Sequence, residues 1–178
     1  MTEGNIIKDL LKGDYEAALK GIIAQYGERL FWHIRLMVNS HDDADDLMQN
    51  VYVKVWKSLP RFRGEAGLYT WLYRIATNEC LNFLRRRKIA SVFSQTVPEE
   101  ELRKIEDDPY FNGNGIQKEL FKTMAELPPK QRLVFEMRYF QDMSYEEISS
   151  ITKTSVGALK ASYHFAYKKI LDRLENSF

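Results

Sequence analysis

Apolar residues recur every three or four positions along most of the chain, and no stretch alternates apolar and polar residues for long. This spacing predicts amphipathic helices rather than strands. The segment after Ser40 shows it well. Its main apolar positions are Leu47, Val51, Val55 and Leu59. Four aspartates occupy its first turns, where carboxylates suit the positive end of a helix dipole, and Pro60 ends it.

The same period predicts further helices on both sides of this segment. Residues 14–38 form one long helix or two helices joined near Gly27, and residues 68–88 form another after a glycine-containing loop at 61–67. Further along, Ser144 and Glu147 have the spacing of a capping box. A break at 152–154 follows, and Ser155 is placed to cap a last helix. Residues 144–174 therefore predict a helix-turn-helix.

Between these parts the helical pattern fails, over residues 90–115. This stretch contains Pro98, Pro109, an acidic run and an Asn-Gly repeat, which are typical of a linker. A gap of this length is long for the inside of one compact domain. We therefore expect an all-α protein of two small helical domains, residues 1–89 and 116–178, joined by a flexible acidic linker, with the helix-turn-helix in the second.

Composition narrows the classes of protein. The chain has 178 residues with 44% hydrophobic and 29% charged side chains, which is typical of a globular protein. Cys80 is the only cysteine, so neither an internal disulfide nor a cysteine-rich zinc site is available. His33 lies in an apolar run and is expected in the core; His41 beside two aspartates is a weak metal candidate. We predict no cofactor, no metal, no membrane insertion and a cytoplasmic location.

The charge distribution points to nucleic acid more clearly than the net charge of +1 does. Residues 61–88 carry seven basic and two acidic side chains, and residues 153–173 carry five and one. In the first zone aromatic residues alternate with arginines, a combination that suits single-stranded DNA. In the second zone the last helix has a basic face that suits a major groove. The alternative for the first zone is that its aromatic residues belong to the core and its arginines to a solvated helix end. The alternative for the second zone is an ordinary pair of packed helices.

The helix beginning near Asp42 has an acidic and polar face with aromatic residues beside it. Such a face could dock on a basic partner helix. The alternative is a solvated charged face with no partner.

Four motifs together resemble the extracytoplasmic-function group of sigma-70-type bacterial sigma factors. They are Asp42-Asp-Ala-Asp-Asp-Leu-Met-Gln-Asn-Val-Tyr-Val-Lys-Val-Trp56, Arg61-Phe-Arg-Gly-Glu-Ala-Gly-Leu-Tyr-Thr-Trp-Leu-Tyr-Arg-Ile-Ala-Thr-Asn78, Leu127-Pro-Pro-Lys-Gln-Arg-Leu-Val-Phe and Ser144-Tyr-Glu-Glu-Ile148. The resemblance implies a protein that is not an enzyme. It implies binding to core RNA polymerase and promoter DNA, help in opening the duplex, and an anti-sigma protein as a further partner.

The resemblance also assigns residues to three surfaces. The polymerase contact would comprise Asp45, Asp46, Gln49, Tyr52, Val53 and Trp56. The −10 recognition and melting surface would comprise Arg61, Arg63, Tyr69, Thr70, Trp71, Arg74, Asn78, Asn82, Arg85, Arg86, Arg87 and Lys88. The −35 surface would comprise Ser155, Gly157, Ala158, Lys160, Ala161, Ser162, His164, Tyr167 and Lys168.

The sequence departs from the family pattern at a few positions. Lys153 stands where glycine is common in the turn between the helices, and Ser162 and Tyr167 stand where arginine is frequent in the recognition helix. These departures leave the expected fold intact and bear on promoter preference. The competing hypothesis is a stand-alone helix-turn-helix regulator with an N-terminal effector or dimerisation domain, which leaves residues 61–88 unexplained.

Overall fold

The computed structural model describes residues 2–90 and 115–177. Within these ranges the regular structure is helical, as the pattern predicts, and the predicted linker falls almost entirely outside them. The helices are α1 (Glu3–Lys12), α2 (Tyr15–Met37), α3 (His41–Ser58), α4 (Leu68–Ala90), α5 (Gly115–Ala125), α6 (Pro129–Phe135), α7 (Tyr145–Thr152) and α8 (Val156–Ser177). In these ranges none of them combines the length and apolar character needed to span a membrane.

The N-terminal half is built on α2, α3 and α4, which pack against one another. Local signals begin the first two of them: the Asp14 carboxylate accepts from the Ala17 N–H at 3.0 Å, and the Ser40 hydroxyl accepts from the Asp43 N–H at 3.4 Å. α2 is a single helix that passes through Gly27. A Cβ at this position would lie 2.8 Å from the Tyr52 hydroxyl, so the glycine allows α3 to pack closely.

The C-terminal half contains the predicted helix-turn-helix. Ser144 and Glu147 form the capping box, with the Ser144 N–H donating to the carboxylate at 2.7 Å and the Glu147 N–H donating to the hydroxyl at 3.2 Å. Lys153 ends α7 in the left-handed region at φ 58° and ψ 29°. The Ser155 hydroxyl then accepts from the Ala158 N–H at 3.4 Å and caps α8. The sequence pattern did not predict α1, α5 or the π-helical segment, Glu136–Phe140, that continues α6.

The two halves pack against each other in the described residues. α4 contacts α7, and α2 contacts α6 and the π-helical segment. One hydrophobic core includes Leu72 and Ala76 from the first half and Met137, Ile148 and Ile151 from the second, all buried. The surfaces of the two halves are therefore arranged relative to each other by a shared core as well as by the chain between them.

Candidate interaction surfaces

α3 separates a buried apolar face from an exposed face of mixed character. Leu47, Val51 and Val55 are buried against the core. On the other side Asp45, Asp46 and Gln49 are exposed, and Tyr52 is half-buried beside Gly27. Val53 and Trp56 are 49% and 45% exposed, which is high for large apolar side chains. An exposed apolar pair edged by carboxylates suits a partner that presents an apolar patch with basic groups at its rim.

α4 brings the predicted polar residues of the melting surface onto one stripe. The stripe residues, spaced by four, are Thr70, Arg74, Asn78, Asn82 and Arg86. Adjacent members of this row are about 40° apart around the helix axis, so neighbours lie side by side and the row winds along α4. The last three are exposed, and Arg85 beside them is exposed as well. Arg61 and Arg63, ahead of α4, are also exposed.

The aromatic residues near the start of α4 are divided between core and surface. Tyr73 is fully buried, so the core interpretation is correct for that residue. Trp71 is half-buried and packs on Phe62, with ring centroids 4.9 Å apart. Tyr69 is half-buried against Tyr73 at 4.5 Å, and burial raises its pKa. Trp71 and Tyr69 therefore present only part of each ring to a ligand.

Two arginines of the predicted melting surface already have partners within the protein. The Arg74 guanidinium donates from Nη2 to the Ser150 carbonyl at 2.8 Å. The Arg87 guanidinium pairs with Asp43 at 3.1 Å and lies over the Phe83 ring at 5.6 Å. Lys88 is within α4, but its side chain lies outside the described part of the chain.

The last helix presents most of the predicted −35 residues to solvent. The exposed residues are Ser155, Gly157, Ala158, Lys160, Ala161, His164, Tyr167 and Lys168. Ser162 is half-buried. A Cβ at Gly157 would meet nothing within 4 Å, so open space surrounds the first turn of α8. Lys160 lies 5.7 Å from the Tyr145 ring centroid, which links the exposed face of α8 to α7.

The residues considered for catalysis or metal binding do not converge on a site. His33 and Cys80 are fully buried, and burial raises the pKa of the Cys80 thiol. His41 approaches Asp45 at 3.5 Å. Over residues 2–90 and 115–177, no group of three or more His, Cys, Asp or Glu side chains is arranged to hold a metal ion.

The sequence pattern did not indicate the polar contacts between the two halves. Arg132 Nε donates to the Leu36 carbonyl at 2.9 Å, and Arg132 Nη2 donates to Asn39 Oδ1 at 2.6 Å. His33 Nδ1 lies 2.7 Å from Glu136 Oε2. A usable signal was the position of Glu136 within the apolar run from Leu133 to Met137, since a charged residue in such a run needs a buried partner.

This geometry defines a helical protein with a helix-turn-helix in its C-terminal half and a second polar, partly basic helix stripe in its N-terminal half. Two family models match on either side of the predicted linker: Sigma-70 region 2 at residues 22–89 and Sigma-70, region 4 at residues 117–170. Together they match more than half of the chain. The protein belongs to the sigma-70 family of sigma factors, in its extracytoplasmic-function (ECF) group.

Individual relatives agree with the family models over nearly the whole length. The chain is 26% identical to the ECF RNA polymerase sigma-E factor of Escherichia coli over 190 residues, covering 98% of this chain and 95% of the relative. It is 25% identical to the RNA polymerase sigma-H factor of Pseudomonas aeruginosa, covering 94% and 91%.

Solved structures resemble the fold at lower identity. The sigma factor RpoE from Bartonella quintana, in complex with the anti-sigma factor NepR, superposes with a TM-score of 0.68 at 21% identity, covering 88% of this chain and 96% of the other. CnrH in complex with the cytosolic domain of CnrY gives 0.67 at 22% identity, covering 92% and 91%.

Proposed function

We propose that this sigma factor binds core RNA polymerase, directs it to promoters and helps to open the duplex, with a separate surface for each task. Residues 1–89 contact polymerase and the −10 element, residues 116–178 contact the −35 element, and residues 90–115 join them. The observation that carries this proposal is the α4 stripe within the segment that matches Sigma-70 region 2. A stand-alone regulator has no evident use for that stripe.

The exposed face of α3 is the proposed polymerase contact. The exposure of Val53 and Trp56 supports this, because burying apolar surface is the main favourable contribution to a protein interface. Asp45 and Asp46 at the edge contribute attraction to a basic partner and help to fix its orientation. Burial raises the pKa of Tyr52, so this residue stays a neutral hydrogen-bonding group.

The α4 stripe is the proposed site for the melted −10 strand. Exposed Asn78 and Asn82 provide amide donors and acceptors for base edges, and exposed Arg85 and Arg86 provide charge for the phosphates. The free parts of the Tyr69 and Trp71 rings provide stacking surfaces, where each stacked base contributes roughly 1–3 kcal/mol. Capture of an unstacked base offsets part of the few kcal/mol needed to extrude it.

The first turns of α8 are the proposed −35 contact. Small residues at Gly157, Ala158 and Ala161 allow the backbone to approach the major groove, and Lys160 and Lys168 can pair with phosphates. Two lysines make few phosphate contacts, so this half alone should bind duplex DNA weakly and with strong dependence on salt. Polymerase would hold both DNA-binding halves at one promoter and so raise their effective concentration.

The remaining parts of the proposal follow from this role. The protein carries out no reaction of its own and needs no cofactor, and it acts in the cytoplasm, where RNA polymerase works. Of the two structurally similar proteins, the sigma factor RpoE was solved in complex with an anti-sigma factor and CnrH in complex with the cytosolic domain of CnrY. We therefore include an anti-sigma protein among the partners of this chain.

The direct test is transcription in vitro with the full chain, purified core RNA polymerase and a library of genomic fragments. We expect transcripts from a small set of fragments that share sequence elements near −35 and −10. A matched pair of variants separates core binding from promoter opening. Asp46→Ala on α3 should lower core binding, whereas Asn82→Ala on α4 should lower promoter opening and leave core binding unchanged.

Two results would contradict the proposal. The first is a chain that neither associates with core enzyme nor allows it to initiate on any fragment. The second is a dimer that protects a palindromic site without polymerase, which would favour the stand-alone regulator.

A further inference from the structure

The last helix exposes a large aromatic side chain that none of the three predicted surfaces includes. Phe165 is 58% exposed. The buried residues of α8 are Leu159, Ala166 and Ile170. A helix turns by about 100° per residue, so Phe165 lies about 100–140° around the axis from all three, on the side that faces solvent. The core therefore does not account for a phenylalanine at this position.

The neighbours of Phe165 make it part of a longer apolar strip. Ala161 and Ala158 precede it by one and two turns, and both are exposed. Side chains of a helix lean toward its N-terminus, so the Phe165 ring leans toward the turn that contains Ala161. The His164 ring stands edge-on to it, with ring centroids 6.1 Å apart and planes at 63°. We name Ala158, Ala161 and Phe165 the apolar strip; it runs along the part of α8 proposed to enter the major groove.

Basic residues lie at both ends of the apolar strip. Residues 156–169 contain three lysines and no acidic residue. Lys160 and Lys168 are exposed, the first near the start of the strip and the second one turn after Phe165. Phosphate contacts position a protein on the duplex while the base edges between the two backbones are read, so a reading helix has cationic groups beside its central face. The charge therefore favours DNA over an apolar protein surface as the ligand of the strip.

The chemistry of the strip selects among the bases. In the major groove guanine, adenine and cytosine present hydrogen-bonding groups at the edge, whereas thymine also presents a methyl group. The side chains of the strip have neither a donor nor an acceptor. Pressing Phe165 against a polar base edge would remove water from that edge without replacing its hydrogen bonds, which is unfavourable. A thymine methyl group has no hydrogen bond to lose, and its burial against the ring is favourable.

We propose that Phe165 is a specificity-determining residue of the −35 surface, whose ring contacts the methyl group of a thymine in the major groove. The promoters of this protein then carry a thymine at one fixed position of the −35 element. This inference rests on the function proposed above for α8 and adds the kind of base that the helix selects.

The test removes the methyl group from the DNA and the ring from the protein. The probe is a labelled promoter fragment recovered from the genomic library, in which the thymines of the −35 element are replaced by deoxyuridine one at a time. Deoxyuridine keeps the base pair and lacks only the methyl group. Fluorescence titration with holoenzyme, assembled from core RNA polymerase and the full chain, measures the affinity. At one position the replacement should weaken binding by wild type about fourfold, which is the value of one buried methyl group.

Two variants of the chain complete the comparison. With Phe165→Ala, binding to the thymine fragment should weaken and deoxyuridine at that position should have no further effect, because the two changes remove the same contact. Leu171→Ala is the matched control. It removes another apolar side chain of α8, 42% exposed, from a position beyond the strip, and should keep the full response to deoxyuridine. If Phe165→Ala loses helical circular dichroism, Phe165→Gln replaces it in the same titration.

Other results would overturn the inference. If no single deoxyuridine weakens binding by wild type, or if the −35 element contains no thymine, the helix does not read a methyl group. If the weakening persists in Phe165→Ala, another residue makes the contact. In each of these cases wild-type holoenzyme still initiates, so the proposed function stands. A chain that supports no initiation on any fragment would instead contradict the proposed function, and the inference would fall with it.

Discussion

The turn between α7 and α8 gives a prediction whose size follows from the backbone. Lys153 has φ 58° and ψ 29°, and its N–H bonds to the Ser149 carbonyl at 2.9 Å. An L-residue with a Cβ is strained in this region by roughly 1–2 kcal/mol. Glycine removes this strain, but it also gives the unfolded chain more conformational freedom, which offsets about 0.5–1 kcal/mol of the stabilisation. We therefore expect Lys153→Gly to raise the free energy of unfolding by about 0.5–1 kcal/mol.

The matched control for this prediction is Lys153→Ala. Alanine removes the exposed lysine charge and keeps the Cβ, so it should change the free energy of unfolding very little. Urea unfolding of the full chain, followed by circular dichroism, measures both variants; the glycine variant should raise the midpoint by about 0.3–0.5 M at a typical slope. Asp142, at φ 52°, provides a second comparison. Because aspartate tolerates the left-handed region better than lysine does, Asp142→Gly should raise the free energy of unfolding by less than Lys153→Gly.

The strain argument would be refuted by a particular pattern of midpoints. If Lys153→Gly and Lys153→Ala shift the midpoint equally, the effect comes from the lysine side chain and not from the backbone. A glycine variant less stable than wild type would likewise show that the left-handed conformation carries no strain worth relieving.

Three further variants test the surfaces and the cap. Asn78→Ala should lower promoter opening about fivefold, the loss of about one hydrogen bond, with core binding unchanged, as followed by permanganate reactivity of the melted strand. The double change Asp46→Ala with Gln49→Ala should weaken core association in a fluorescence titration and leave duplex binding by the full chain unchanged. Ser144→Ala removes a cap worth about 1 kcal/mol. Two hydrogen bonds lower the pKa of Glu147: one from the Ser144 backbone N–H, which alanine keeps, and one from the Ser144 hydroxyl, which alanine lacks. The hydroxyl-to-carboxylate part of the loss should be complete above the ordinary pKa of 4.5 and shrink as acid protonates the carboxylate, whereas the bond from the Glu147 N–H to the hydroxyl is lost at every pH. Urea unfolding at several pH values measures both parts, and a loss that does not shrink at all in acid would contradict the assignment.

Local sequence signals predicted α2, α3, α4, α7 and α8 and several of their ends, because the contacts that begin or end a helix join residues a few positions apart. The capping box joins Ser144 to Glu147, and the Ser155 hydroxyl accepts from the Ala158 N–H, three residues later. The burial of His33 was also predictable, since it lies in an apolar run. These features depend only on residues that are close to one another in the sequence.

The contacts between the halves depend on residues that are distant in sequence. His33 and Glu136 are 103 positions apart, and the amphipathic period of α2 and α6 shows which face is buried but not what covers it. The same reason explains why the sequence did not indicate that Arg74 bonds the Ser150 carbonyl or that Arg87 pairs with Asp43. The π-helical segment after α6 has no pattern of its own that distinguishes it from a continued α-helix.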